Sequence, residues 1–139
     1  MIFTTDITIR GYHIDVHGHV NNARWVELLE EARWRWLDAE VDLARWRDEG
    51  QGIAVTNLDV TYRRPAHAHE VVEFRCWITR LGGRSAVCHQ EAWRKTGDER
   101  LIEADVTFLL IDLETGRLRP MAGDAREMFA RYLQREARA

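Results

Sequence analysis

The stretch Gly11-Tyr12-His13-Ile14-Asp15-Val16-His17-Gly18-His19-Val20-Asn21-Asn22 runs directly into Ala23-Arg24-Trp25-Val26-Glu27-Leu28-Leu29-Glu30-Glu31-Ala32-Arg33-Trp34-Arg35-Trp36-Leu37. The second half reads as a helix. Trp25, Leu28, Leu29, Ala32, Trp36 and Leu37 recur at helical spacing, which makes one face apolar. Glu27, Glu30, Glu31, Arg35 and Asp38 fall mainly on other faces. Asn21 or Asn22 supplies the N-cap. The first half sets one carboxylate, Asp15, among His13, His17 and His19, just ahead of the helix start. That end carries unpaired amide N–H groups and a positive partial charge. A carboxylate there suits chemistry in which an oxygen becomes negative.

The chain on either side reads as sheet. Residues 2–10 alternate, with Ile7 and Ile9 on one side and Asp6, Thr8 and Arg10 on the other, as in a half-buried strand. The long helix runs to about Glu40. Asp42 caps a short second helix, 43–49, ended by Gly50 and Gly52. Residues 53–62 are rich in β-formers and stop at Arg63-Arg64-Pro65, because proline cannot donate to a ladder. Residues 70–81 alternate again, Gly82-Gly83 reads as a two-residue hairpin turn, and 84–95 return. After the turn at 96–99 comes a last strand, 101–111, which ends fully apolar as a central strand does. Asp124 with Glu127 resembles a capping box, ahead of a C-terminal helix with Met128, Phe129, Tyr132 and Leu133 on one face. Tight hairpins make antiparallel neighbours. The expected class is α+β, an antiparallel sheet with one long helix and a C-terminal helix. Residues 1–139 are expected to form a single domain. One helix leaves sheet edges and apolar surface open, so dimerisation is expected.

The composition narrows the function. A net charge of −3 and a pI near 6.1 give no electrostatic support to nucleic acid as a partner. Of the 20 basic residues only Lys95 is a lysine, which reads as coding bias. Residues 1–6 lack a basic segment and an apolar segment, so no secretory signal is expected. No apolar run is long enough to span a bilayer. The two cysteines, Cys76 and Cys88, sit in strand-like stretches and read as reduced, packed thiols of a cytoplasmic protein.

Several chemistries compete for these residues. His13, Asp15, His17 and His19 would share a face of an extended chain, and two histidines with a carboxylate suit iron or zinc. Gly18 interrupts that alternation, which favours a site without metal or cofactor. His67 and His69 read as solvated loop histidines. Asp15 can then be a base or a nucleophile, or with Asn21 it can merely brace the strand-to-helix turn. Gly83-Arg84-Ser85 lacks the flanks of a nucleophile elbow. Trp25 and Trp36 read as core. Trp34 and Trp46 read as partly exposed, at a ligand pocket or an interface. Arg63, Arg64 and Arg84 are either solvated or hold phosphates.

Residues 10–22, followed by Leu29-Glu30-Glu31-Ala32-Arg33, resemble the 4-hydroxybenzoyl-CoA thioesterase group of hotdog-fold enzymes. The resemblance is greatest to bacterial long-chain acyl-CoA thioesterases of the FadM/YbgC type. Tyr62-Arg63-Arg64-Pro65-Ala66, Gly83-Arg84-Ser85 and residues 108–116 extend the likeness over nearly the whole chain. It implies a hotdog fold, with the sheet wrapped around the long helix, in homodimers or homotetramers with the site between subunits. Asp15 matches the catalytic carboxylate. Asn22 matches the helix-start position whose amide polarises the thioester carbonyl. His19 and Asn21 match positions that shape the turn. Arg84 and Ser85 match the hairpin that meets coenzyme A phosphates, with Arg64 a weaker match. The implied reaction is hydrolysis of an acyl-CoA, its acyl group medium- or long-chain or aromatic, to free acid and coenzyme A. The alternatives are a non-catalytic acyl-CoA-binding hotdog protein and a metal-dependent enzyme built on the histidine cluster.

Overall fold

The computed structural model describes residues 1–134. A first strand, β1 (Phe3–Thr8), leads through a single 3₁₀ turn at Gly11–His13 to the long helix α1 (Asn22–Glu40). A short helix α2 (Leu43–Asp48) precedes β2 (Gln51–Tyr62), β3 (Val71–Leu81), β4 (Ala86–Arg94) and β5 (Glu99–Asp112). The two-residue β6 (Leu118–Arg119) and the helix α3 (Gly123–Arg131) follow. The strand order is β1-β3-β4-β5-β2, and every pairing is antiparallel. β4 stops opposite Phe108, and β6 pairs with β5 at Leu110 and Ile111 just beyond it. β1 and β2 are the edges.

The inner face is apolar because alternate residues of each strand point to one side. Val72, Phe74, Cys76 and Ile78 of β3 meet Cys88 and Ala92 of β4 and Ile102, Ala104 and Val106 of β5, all buried. Against them lie Trp25, Leu28, Leu29, Ala32, Trp36 and Leu37 of α1. These are the six residues that the helical period selects. Burial of the large members of this set, the leucines and tryptophans, is worth at least about 1.5–3 kcal/mol each, so the α1 stripe fixes which face of the sheet is covered. Both cysteines are free and buried, and burial pushes the Cys76 thiol up to about 12.

Five local expectations change. The β3–β4 loop is not a two-residue turn but spans Gly82 to Ser85, closed by Gly82 N–H donating to the Ser85 carbonyl at 2.9 Å. Gly50, at φ +76°, ends α2, whereas Gly52 lies inside β2, where a Cβ would clash with the Leu113 side chain. Asp124 is no N-cap, since Ala122 holds that position. Its carboxylate instead accepts from Arg45 and from Trp46 Nε1, tying α2 to α3 and burying Trp46, which the sequence suggests is partly exposed. Leu133 has left the helix and bridges to Ile78 of β3.

The outer face of the sheet is polar. His89 sits between Asp105 (2.8 Å) and Glu91 (3.0 Å), with its ring 4.7 Å from that of Trp77. Burial works to lower its pKa, but the two carboxylates outweigh that and raise it. The charged imidazole therefore stabilises the fold fully below its unfolded value, near 6.5, and the gain is lost as pH rises through the raised folded value. His89→Gln should remove that dependence. The difference in Tm between wild type and variant should shrink from pH 6 to pH 8, and parallel curves would contradict this assignment.

Candidate active site

Asp15 sits in a β-hairpin built on a three-residue loop. Its N–H donates to the His19 carbonyl at 2.9 Å, and its carbonyl accepts from Gly18 N–H at 3.0 Å. Ile14 and Val20 bridge just behind. Such a loop needs a residue in the left-handed region at its third position, and Gly18 takes it at φ +80°. Gly18 is thus required by the turn. The alternating face shared by four residues does not form: His13 Nδ1 accepts from Arg10 N–H at 2.9 Å, His17 is exposed at the loop, and His19 meets His67 edge-on at 5.0 Å. Asp15 Oδ1 accepts from His17 N–H at 2.9 Å. Its carboxylate is half-buried and has no cationic partner among the described residues.

The hairpin delivers the chain into α1. Asn21 is the N-cap, its Oδ1 accepting from Ala23 N–H at 2.8 Å. Asn22 is the first helical residue, and its amide has no acceptor among the described residues. Three further bonds hold this point. Asn21 N–H donates to the His13 carbonyl at 2.9 Å, and Val20 N–H to the Ala66 carbonyl at 3.0 Å. Tyr62, at the end of β2, donates its hydroxyl to the Asn22 carbonyl at 3.0 Å. Tyr62 belongs to the sequence motif, but spacing assigns it no role, because its partner lies forty residues away.

His67 lies beside the hairpin and pairs with Glu70 at 2.8 Å, and Glu70 also accepts from Arg94 at 2.6 Å. Burial works to raise the Glu70 carboxyl, but these partners hold it below the usual range. Burial and nearby Arg24 lower the pKa of His13. Arg64 is exposed at this same end, its backbone N–H bonded to the Leu101 carbonyl.

Arg84 and Ser85 are elsewhere. They occupy the β3–β4 loop, against the start of α3, where Met121 N–H donates to the Gly83 carbonyl. Ser85 accepts from Arg80 at 3.0 Å. β3 has 11 residues, so roughly 33 Å of strand separates this loop from the Asp15 end. One chain therefore groups Asp15, His19, Asn21, Asn22 and Arg64 at one end of the sheet and holds Arg84 and Ser85 at the other.

An antiparallel sheet covered by one long helix, with an acid-bearing hairpin at the helix start, is the hotdog arrangement. The Thioesterase-like superfamily model matches residues 9–130. The chain belongs to that superfamily and is a hotdog-fold thioester hydrolase. It is 35% identical over 123 residues to the long-chain acyl-CoA thioesterase FadM of Escherichia coli (strain K12), covering 88% of this chain and 93% of that protein. The crystal structure of the probable thioesterase YbaW from Escherichia coli superposes with a TM-score of 0.82 at 33% identity, covering 94% of this chain and 98% of that one. The fold is shared at 18% identity with Slr0204, a 1,4-dihydroxy-2-naphthoyl-CoA thioesterase from Synechocystis, at a TM-score of 0.85 over 94% of this chain and 96% of that one.

Asn21→Ala removes the side-chain bond to Ala23. It should cost about 1 kcal/mol of stability in urea denaturation. An unchanged midpoint would mean that Asn21 does not cap α1.

Proposed function

We propose that this single-domain chain is a cytoplasmic acyl-CoA thioesterase whose working site lies between two subunits. The observation that carries the reading is the Asp15 hairpin set directly against a helix start whose first amide, that of Asn22, has no acceptor among the described residues. In the reaction, Asp15 drives attack on the thioester carbonyl, as the base for a water or as the attacking oxygen itself. In either route the carbonyl oxygen gains negative charge, and the Asn22 amide and the α1 dipole meet it. The C–S bond then breaks, coenzyme A leaves as the thiol, and water supplies the oxygen of the free acid. His19 and Asn21 shape the turn, and Arg64 lies within reach of the same mouth.

The reading needs a second subunit, because Arg84 and Ser85 lie far from Asp15 in one chain. β2 is a free edge carrying exposed Val55 and Tyr62, with Trp34 of α1 beside it at 44% exposure. Two β2 edges paired antiparallel put the Gln51 end of the partner next to the Tyr62 end of the first chain. The partner's sheet end with the 82–85 loop then lies beside Asp15, and Arg84 of the partner subunit meets the coenzyme A phosphates. The acyl group is long-chain in FadM, and the apolar surface along α1 and β2 suits the same class here. No helix among the described residues is long and apolar enough to cross a membrane.

Asp15→Asn keeps the shape of the turn and removes the charge. Thiol release from acyl-CoA, read with DTNB, should fall by at least the roughly 10²–10⁴-fold of a lost general base, with the fold intact by circular dichroism. Turnover near wild type would contradict the role of Asp15. No turnover by the wild type on any acyl-CoA, with binding retained, would favour a non-catalytic acyl-CoA-binding protein.

A further inference from the structure

α1 carries a second chemical feature, one helical row beyond the proposed active site. Asn22, Val26, Glu30, Arg33 and Leu37 follow one another at i, i+4, i+3 spacing and so share a face. Opposite them, Tyr62 donates to the Asn22 carbonyl at one end, and Ile53 and Val55 lie near Leu37 at the other. Val60, partly buried against the core, lies between. This row of α1 therefore runs from the Asn22 amide toward Leu37. It ends in a cavity of about 80 Å³ walled by Trp34, Val55, Val106 and Phe108, more than twice the roughly 30 Å³ share of a water.

Two polar side chains also line that cavity, Arg33 and Glu30. Arg33 donates one N–H to Gln90 Oε1 at 2.9 Å. Gln90 is fully buried and is itself held by the Leu29 carbonyl at 2.9 Å. The guanidinium is thus fixed from below, and no carboxylate pairs with it among the described residues. Glu30, three residues away, makes no bond with it and has no other partner among the described residues. The cavity accordingly has a donor and an acceptor at its rim, the half-buried Arg33 and the exposed Glu30, both open to water and neither paired with the other.

We infer that an acyl chain carrying a hydroxyl group far from the thioester lies along this row with its hydroxyl at the cavity, and that Arg33 and Glu30 select it. A hydroxyl is both donor and acceptor. It accepts from the Arg33 guanidinium and donates to the Glu30 carboxylate. A methyl terminus displaces water from the two groups without replacing its hydrogen bonds, and a terminal carboxylate meets Arg33 but is repelled by Glu30. The position follows from the helix rise. Gln90 anchors the guanidinium at the level of Leu29, so between 7 and 11 residues separate the Asn22 amide from this point, about 10–16 Å. An extended chain covers that with roughly eight to twelve carbons, so a 3-hydroxyl or the hydroxyl of a hydroxybenzoyl group falls short. This inference rests on the proposal that the thioester sits at Asn22.

The test compares kcat/KM for decanoyl-CoA, 10-hydroxydecanoyl-CoA, dodecanoyl-CoA, 12-hydroxydodecanoyl-CoA and dodecanedioyl-CoA with the wild-type protein. The better hydroxyacyl substrate should exceed its unsubstituted counterpart by about tenfold, the size of one net hydrogen bond at a site open to water. Dodecanedioyl-CoA should fall below 12-hydroxydodecanoyl-CoA. Arg33→Gln and Glu30→Gln should each bring the hydroxyl ratio close to one. If Arg33→Gln does not fold, the wild-type ratios and the exposed Glu30→Gln decide. A wild-type ratio of one or less at both lengths would overturn the inference, as would a ratio unchanged in the folded variants. If no thioester is hydrolysed, hexanoyl-CoA included, the thioesterase reading itself fails. The cavity is then judged by calorimetry with the free acids: 12-hydroxydodecanoate binding about tenfold tighter than dodecanoate supports the inference, and equal or weaker binding overturns it.

Discussion

The first residue of α1 is held from four directions, and the rest of the molecule is arranged around that hold. The Asn21 side chain caps the helix, the His13 carbonyl takes the Asn21 amide, the Ala66 carbonyl takes the Val20 amide, and the Tyr62 hydroxyl bonds the Asn22 carbonyl. These bonds join the Asp15 hairpin, the β2–β3 loop and the end of β2 to one point. They matter because a helix start exposes amides that water would otherwise satisfy. Among the described residues the Asn22 amide at this point has no acceptor. In the proposed reaction, a preorganised donor here would need no reorganisation when charge develops against it.

The energy that allows this arrangement comes from elsewhere. The apolar stripe of α1 lies on the inner faces of β3, β4 and β5 and fixes the helix axis over the sheet. The polar outer face, with His89 between Asp105 and Glu91, contributes to stability without touching the proposed site. The division is familiar in functional proteins, where a rigid scaffold positions a loop that carries the chemistry.

Much of this is legible in the chain itself. The spacing of Trp25, Leu28, Leu29, Ala32, Trp36 and Leu37 selects the buried face of α1 because the period of a helix is a property of neighbours in sequence. The Asp15 motif is local too, but the sequence reads it as an extended chain that Gly18 interrupts; the hairpin and the role of Gly18 come from the bonds and the positive φ. Contacts between distant segments are not legible. Asp124 reads as a cap by its spacing to Glu127, but Arg45 and Trp46 claim its carboxylate from 79 and 78 positions away. The bond between Arg33 and Gln90 spans 57 positions and leaves no local pattern. The separation of Arg84 from Asp15 likewise follows from sheet topology, since the motif places both in one family site and says nothing of which chain supplies each.

That separation makes the shared site the central claim, and mixed subunits test it most directly. Asp15→Asn and Arg84→Ala proteins, each weakened alone, are mixed under conditions that allow subunit exchange, and thiol release from a long-chain acyl-CoA is followed. If the site combines Asp15 of one chain with Arg84 of the partner subunit, the hybrid holds one site with both residues intact. Activity should then rise above the sum of the two separate variants, toward about a quarter of the wild type in a fully exchanged equimolar mixture, where half the dimers are hybrids with one intact site of two. No rise despite demonstrated exchange, or a fully active monomer in sedimentation, would contradict the account.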